Sequence, residues 1–292
     1  MKKKILILGS SGQIGSYLYS FLKKRNFSPI KFDILNSKSE DLRIINNYKL
    51  VRLLKTVDFV FFLAFDVGGS KYLHKFQDSS DFISNNLLIM QNTFQLLKKY
   101  KIKFIFSSTQ MANMSFSNYG ILKSIGEKYT KSIGGICVKL WNVYGIEKND
   151  QKSHVITDFI LKGFASNKVK MLTNGKEKRN FLHVEDCCDA FLILMNRYSF
   201  FVKKKHNIDI SFLYPVSILF IAKIIKKLFL SKNKRVFFLP SKKKDTIQKS
   251  FNNEPSNFFS QYWRPKITLE RGIEHIFNYH YKNFIKKNGI KK

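Results

Sequence analysis

The feature that most constrains the fold is a short apolar run that leads directly into a glycine-rich loop. Residues 5–8 are continuously apolar, as expected of a buried parallel strand, and Gly9, Gly12 and Gly15 follow before a segment with helical spacing. Glycine lets the backbone approach a pyrophosphate closely, and a helix N-terminus offers free N–H groups and the positive end of the helix dipole. The pattern therefore predicts a dinucleotide site at the start of the chain.

An acidic residue follows at the position that such a site requires. Asp33 lies 18 residues after Gly15, at the end of a second predicted strand at 29–34. A carboxylate there accepts hydrogen bonds from the adenosine ribose hydroxyls and repels a 2′-phosphate. Asp33 therefore favours NAD as the cofactor, with NADP as the weaker alternative. The competing interpretation is a purely structural turn that Asp33 caps.

The next part of the chain alternates apolar runs with segments of helical spacing. Buried strands are predicted at 57–64, 103–106 and 136–140. Helices are predicted at 14–24, 81–99 and 118–132. Strands that alternate with helices predict an α/β fold with a doubly wound parallel sheet.

The alternation weakens beyond residue 142. Helices are predicted at 155–164, 184–195, 216–230 and 269–284, and a polar loop at 242–259. We therefore predict a dinucleotide-binding domain over 1–142 and a smaller C-terminal α/β substrate-binding lobe over 143–292, intermixed with the first domain.

The charge is unusually positive. Lys and Arg number 52 against 20 Asp and Glu, which gives a net charge of +32. The lysines occur in scattered groups such as 203–205 and 242–244, without a single basic stripe that contains interleaved aromatics. No specific nucleic-acid partner is predicted, and a basic surface also suits a substrate that carries a pyrophosphate.

The cysteines and the hydropathy limit the cellular setting. Cys137, Cys187 and Cys188 lack the spacing of a metal site, so no metal is expected, and they fit a reduced, cytoplasmic compartment. The most apolar later stretch, 212–230, is interrupted by a proline and three lysines. It predicts an amphipathic helix and no transmembrane segment.

One pair of side chains suggests acid–base chemistry. Tyr119 and Lys123 form a Tyr-x-x-x-Lys pair, which a helix places on one face about one turn apart. A nearby ammonium lowers the pKa of a tyrosine, so Tyr119 could exchange a proton with a substrate hydroxyl. The alternative is an amphipathic helix that carries both residues by chance. The segment 104–109, which ends in Ser-Ser-Thr, favours the catalytic interpretation.

These motifs together resemble the extended short-chain dehydrogenase/reductase family, in particular its NAD-dependent epimerases and dehydratases of nucleotide-linked sugars. The resemblance extends from Ile5 to about Tyr281, including Trp141–Gly145, Arg179–Asp186 and Trp263–Ile273. It implies a Rossmann-type fold. The cofactor-binding residues that it implies are Gly9, Ser11, Gly12, Gln13, Ile14, Gly15, Asp33, Asp41, Leu42, Leu63, Ala64, Tyr119 and Lys123.

The resemblance also assigns the remaining roles. Thr109, with Ser108 as the second choice, presents a hydroxyl to the reacting oxygen, and Asn142 and Arg179 bind a nucleotide-linked sugar. Family members commonly dimerise through two helices per subunit, which here are the predicted helices 81–99 and 118–132. Phe65 departs from the family, which has alanine at this position after Leu63-Ala64.

A second departure from the family pattern limits the reactions that the chain is expected to catalyse. Dehydratases of the family carry Asp-Glu after the threonine, and 3,5-epimerases and fucose synthases carry a cysteine two positions after the hydroxyl residue. Gln110 and Met111 stand there instead, although Val67-Gly68-Gly69 resembles the fucose-synthase branch. The favoured reaction is 4-epimerisation through a 4-keto intermediate, in surface polysaccharide synthesis. The alternatives are an NAD(P)H-dependent 4-keto-sugar reductase and, from another class, a non-catalytic cofactor-sensing or nucleic-acid-binding relative.

Overall fold

A parallel sheet of six strands forms the centre of the molecule. The computed structural model describes residues 2–147, 153–246 and 253–287. The sheet contains β1 (Lys4–Leu8), β2 (Ser28–Phe32), β3 (Phe59–Phe62), β4 (Phe104–Thr109), β5 (Ile136–Leu140) and β10 (Asn207–Ile210). Their order is β10-β5-β4-β3-β1-β2, and every neighbouring pair is parallel. The predicted Rossmann-type doubly wound sheet is confirmed.

Helices cover both faces of this sheet. The helices of the first part of the chain are α1 (Gln13–Lys24), α2 (Tyr48–Leu54), α3 (Ser70–Phe76), α4 (Ser80–Lys99) and α5 (Asn118–Ser132). One face buries Leu18 of α1, and the other buries Phe94 of α4 and Leu122 of α5. Because both faces are covered, β1 and β3 are apolar almost throughout and carry no polar alternation.

The strand order reverses between β1 and β3, which run side by side in the middle of the sheet. In open α/β sheets, ligands bind at the carboxyl ends of the strands at this switch point. Gly9 follows β1 and Leu63 follows β3, so the two predicted cofactor segments meet there.

The later part of the chain contributes to two regions. Its elements are β6 (Asn142–Tyr144), α6 (Val155–Ala165), β7 (Lys168–Lys170), β8 (Lys178–Arg179), β9 (Phe181–His183), α7 (Val184–Asn196), α8 (Tyr198–Lys204), β11 (Val216–Ser217), α9 (Ile218–Leu230), β12 (Phe237–Leu239) and α10 (Leu269–Lys287). α7, α8 and β10 complete the central sheet and its helical layer, whereas α6, α9 and α10 enclose a separate core around Ile225 and Phe277.

Three short strand pairs frame this second core. They are β6–β9, β8–β11 and β7–β12. The helix predicted at 216–230 begins at Ile218, because Val216 and Ser217 pair with β8. The predicted loop 242–259 contains residues 247–252, which lie outside the described residues, and its end runs into a 3-10 turn at Asn257–Gln261. No helix in the described part of the chain is long and apolar enough to cross a bilayer.

Candidate active site

The glycine loop packs against the end of β3. Gly9 has a φ of +85°, and a Cβ atom there would lie 2.7 Å from the backbone nitrogen of Ala64. A Cβ atom on Gly15 would collide with the carbonyl oxygen of Gly9. Both positions therefore require glycine, and they bring the loop into contact with the Leu63–Ala64 segment.

The N-terminus of α1 suits an anionic ligand. Gly12 begins this helix without a side-chain cap, and the first turn holds no acidic residue. A Cβ atom on Gly12 would meet only the Gly9 carbonyl, at 3.4 Å, so the side of the loop away from the helix is open. Ile14 packs on the core and the Gln13 amide donates to the Gly145 carbonyl at 3.4 Å, which ties the loop to the substrate side. The open helix end fits a dinucleotide pyrophosphate.

Asp33 follows β2 directly and contacts this loop. Its carboxylate accepts hydrogen bonds from the backbone N–H groups of Ser11 and Leu35, both at 2.9 Å. The Ser11 hydroxyl in turn donates to the Asn36 amide oxygen at 3.0 Å. The acid and the loop are thus adjacent, as the spacing predicted, and the arrangement leaves a carboxylate beside the position expected for the adenosine ribose.

Asp41 and Leu42 lie further along the same rim. Arg43 forms a bidentate pair with Asp41, with contacts of 2.7 to 3.1 Å, and holds the pKa of that carboxyl below its usual range. Leu42 is buried in the core, and buried Asn92 of α4 donates to its carbonyl at 3.1 Å. The adenine contact predicted for this segment stays a prediction.

Tyr119, Lys123 and Thr109 are brought together at the carboxyl end of β4. Ser117 caps α5, with its hydroxyl accepting from the Gly120 N–H at 3.2 Å, which fixes the start of the helix. Burial raises the pKa of Tyr119 to about 12, and a hydrogen bond from Thr109 acts in the opposite direction. These three side chains are the predicted proton relay, and its catalytic role stays a prediction. The lowered pKa that the sequence predicted for Tyr119 is wrong, because burial raises this pKa.

Lys123 is enclosed by two aromatic rings and a carbonyl. Its Nζ lies 3.8 Å from the centre of the Phe65 ring and 4.8 Å from that of Phe106, and it donates to the Ser107 carbonyl at 2.7 Å. Burial lowers the pKa of Lys123 to about 7. The Phe65 ring also meets Tyr119 edge-on, with 5.7 Å between ring centres. The residue that departs from the family thus touches both members of the pair.

Ser108 has a different partner from the one proposed for it. Its hydroxyl donates to the buried Glu127 carboxylate at 2.6 Å. Glu127 lies eight residues beyond Tyr119 on α5, which is about 12 Å along the helix axis. The Ser108 hydroxyl is therefore engaged away from Tyr119, whereas Thr109 hydrogen bonds Tyr119. This arrangement favours Thr109 over Ser108, and the catalytic role of either residue stays a prediction.

The positions after the relay hold no acid or base. Met111 is buried in the core, and the Gln110 side chain is buried and accepts a hydrogen bond from the Asn253 amide. Neither side chain exchanges protons. Within the described ranges there is also no group of three or more His, Cys, Asp or Glu side chains that could hold a metal ion.

The predicted substrate residues line one small cavity of about 30 Å³ beside β6 and β8. Asn142 presents a buried amide nitrogen that has no partner among the described residues. Arg179 is buried, donates to the Lys178 carbonyl at 2.7 Å and forms an ion pair with Asp245. A guanidinium and an unpaired amide thus line a cavity with room for little more than a water molecule. Their roles in binding a pyrophosphate and a sugar stay predictions.

Comparison with known proteins identifies the family. The model of the NAD dependent epimerase/dehydratase family matches residues 5–209, which is well over half of the chain. The chain belongs to this family. The resemblance found in the sequence is thereby confirmed, as is the expectation of an NAD(P)-dependent enzyme of the extended short-chain type.

Individual relatives have several different reactions in their names. CDP-abequose synthase of Salmonella muenchen is 21% identical over 299 residues, covering 95% of this chain and 98% of the relative. The epimerase Mth375 of Methanothermobacter thermautotrophicus superimposes with a TM-score of 0.83 at 17% identity, covering 99% of this chain and 95% of the other. A GDP-6-OMe-4-keto-L-xylo-heptose reductase of C. jejuni gives 0.82 at 19% identity, covering 97% and 98%. Other solved neighbours were determined with NAD or with NADP.

The sequence patterns did not indicate some residues of the site. Asp245 contacts Arg179 across 66 residues of chain, and Asn253 contacts Gln110 across 143 residues. No periodicity marks such distant contacts. Glu127 did carry a signal, because it lies one turn beyond Lys123 on the same face of α5.

Proposed function

We propose that the protein is an NAD-dependent nucleotide-sugar epimerase that inverts C4 of the sugar through a 4-keto intermediate. The observation that carries this proposal is that Thr109 hydrogen bonds Tyr119, with Lys123 one turn further along α5. Gln110 and Met111, which follow Thr109, are buried. We interpret Tyr119, Thr109 and Lys123 as a single proton relay. Oxidation and re-reduction at one carbon need only one such relay, whereas elimination of water or epimerisation at C3 and C5 needs a further acid or base.

Different residues of the chain would bind the cofactor and exchange the proton. Gly9, Gly12 and Gly15 would admit the pyrophosphate of NAD, and Asp33 would bind its ribose; the bound cofactor supplies hydride acceptance and return. Tyr119 would accept the proton of the C4 hydroxyl and later return it. Because Thr109 hydrogen bonds Tyr119, it would keep the phenol aligned with that hydroxyl.

Lys123 sets the charge state of the relay. Its pKa of about 7 means that the ammonium is half populated near neutral pH. A charged Lys123 near the phenol would favour the Tyr119 phenolate, against the burial that raises the pKa of Tyr119. The larger fraction of phenolate would supply the base that must take the proton.

On the substrate side, Arg179 and Asn142 would bind the nucleotide pyrophosphate and the sugar. Asp245 now accepts from Arg179, and a pyrophosphate would replace this carboxylate with a doubly charged partner of the same fork geometry. The buried Asn142 amide would gain a partner at the same time.

The second candidate is a one-way reductase of a nucleotide-linked 4-keto sugar. The same single relay suffices for it, and one of the solved neighbours is a 4-keto-heptose reductase by name. The two candidates differ in how they use the cofactor, because an epimerase recovers its NAD in every turnover whereas a reductase consumes NAD(P)H.

A panel of UDP-, GDP-, CDP- and dTDP-linked hexoses, incubated without added cofactor, tests the proposal. We expect one of them to be converted to its C4 epimer, with no solvent deuterium at C4 in D₂O because the hydride returns internally. Tyr119→Phe should abolish conversion and retain cofactor. Turnover only of 4-keto sugars with added NADH or NADPH would select the reductase.

We also propose that the protein dimerises through α4 and α5, as the resemblance implied. The outer sides of these helices expose apolar side chains at Leu87, Leu88, Ile121, Ile125 and Tyr129, each about 40% accessible. Two copies packed on this surface would bury them in a four-helix arrangement.

A further inference from the structure

A second exposed apolar surface lies on α9, and lysines are interspersed among its apolar side chains. α9 turns Ile221, Ile225 and Phe229 into the core. Its outer side carries Leu219, Phe220, Lys223, Lys226, Lys227 and Leu230. At 100° per residue these six positions fall within an arc of about 120°, so they form one continuous face. The helix therefore shows apolar ends and a basic middle to the solvent.

The neighbouring two-stranded sheet repeats the pattern. Lys168 and Lys170 of β7 are exposed and pair in register with Phe237 and Leu239 of β12, which are 51% and 42% accessible. Lys226 of α9 lies with its Nζ 5.7 Å from the centre of the Phe237 ring, which joins the strand surface to the helix surface. We call the outer side of α9 together with these four strand residues the basic–apolar face.

Acidic residues are missing from the sequence around this face. Residues 210–244 contain nine Lys and Arg and no Asp or Glu. A two-fold contact between two copies through this face would set lysines against lysines, so self-association is disfavoured. A partner must therefore be anionic, and it must also accept exposed leucine and phenylalanine side chains.

We propose that the basic–apolar face docks the protein on the surface of an anionic lipid bilayer. A nucleic acid binds lysines through its phosphates and aromatic side chains through its bases, so it offers no binding partner for Leu219, Leu230 and Leu239. The acyl chains just below the headgroups of a bilayer accept these leucines together with Phe220 and Phe237. Lysines between these side chains extend to the lipid phosphates. The net charge of +32 draws the protein to such a surface. The proposal is independent of the reaction at the active site.

Flotation of the full-length protein with vesicles tests this proposal, with phosphatidylglycerol in phosphatidylcholine against phosphatidylcholine alone. We expect binding only to the anionic vesicles. Each lysine removed from the face should weaken binding about fivefold, so Lys223→Gln/Lys226→Gln should lose about 25-fold. The matched control is Lys23→Gln/Lys24→Gln, on exposed lysines at the end of α1, which should bind like the parent protein.

A second variant separates lipid from other polyanions. Phe220→Ser/Phe237→Ser keeps every charge, so it should lose vesicle binding while its salt-sensitive binding to an oligonucleotide stays unchanged. These side chains are exposed, and retained cofactor binding checks that the variant is folded. Absence of flotation by the parent protein at low salt, equal loss in the Lys23→Gln/Lys24→Gln control, or full vesicle binding by the double serine variant would each overturn the proposal.

Discussion

Replacement of Phe65 should move the pKa of Lys123 in a direction that depends on the new side chain. Leucine keeps the apolar volume but removes the ring that lies 3.8 Å from the Nζ atom. A cation–π contact with a desolvated ammonium is worth about 2 kcal/mol, and one pKa unit corresponds to about 1.4 kcal/mol. Phe65→Leu should therefore lower the pKa of Lys123 by about 1.5 units. Phe65→Ala should raise it, because water admitted beside the ammonium relieves the burial that now lowers this pKa to about 7.

The assay is an NMR pH titration of protein labelled with ¹³C-lysine. Ordinary lysines titrate near pH 10.4, so a resonance that titrates near neutral pH is distinct, and Lys123→Met identifies it by its disappearance. Phe116→Leu, at an exposed phenylalanine, is the matched control and should leave the titration unchanged. Shifts of the same sign in both Phe65 variants, or no shift in either, would refute the reasoning.

Three further predictions concern the cofactor, stability and assembly. Asp33→Ala should weaken NAD binding about tenfold or more and NADP binding less, since a charged hydrogen bond is worth about 1.5–3 kcal/mol; calorimetry with both cofactors checks this, and equal losses would contradict the ribose assignment. Lys123 binds its proton more weakly in the folded state, with a pKa of about 7, than in the unfolded chain, where its pKa has the ordinary value of 10.5. The free energy of unfolding should therefore rise with pH above about 7, by up to about 1.4 kcal/mol per pH unit. Urea titrations of Lys123→Met should lack that rise, and an identical slope in both proteins would count against the low pKa. Ile121→Asp/Ile125→Asp should yield monomers in sedimentation, while a dimer that survives would place the interface elsewhere.

The parts of the fold that follow local patterns were predictable from the sequence. α5 begins and ends where its spacing placed it, at Asn118 and Ser132, because Ser117 caps it and apolar positions recur at one face. β4 was predicted to end at Phe106, and it continues to Thr109 because Ser107 and Ser108 hydrogen bond inside the protein. Serines whose hydroxyl groups have hydrogen-bond partners can be buried in a strand as apolar residues are. A prediction that follows only the apolar run therefore ends the strand too early.

The site itself was predictable only where a motif fixes both residues and spacing. Gly9, Asp33, Tyr119 and Lys123 are close in sequence to the turns and helices that place them. The partners of Ser108 and Arg179 depend on the packing of distant segments, since Glu127 comes from α5 and Asp245 from the stretch after β12. Similarly, the contact of Phe65 with Lys123 depends on the packing of α5 against the segment that follows β3.

The central claim is that the enzyme carries NAD and returns the hydride to the same carbon. The most direct test is to denature the purified protein and to identify and quantify the released nicotinamide cofactor by mass spectrometry. We expect NAD in nearly stoichiometric amount. Protein that releases no cofactor and binds only added NADPH would contradict the 4-epimerase proposal and support the reductase.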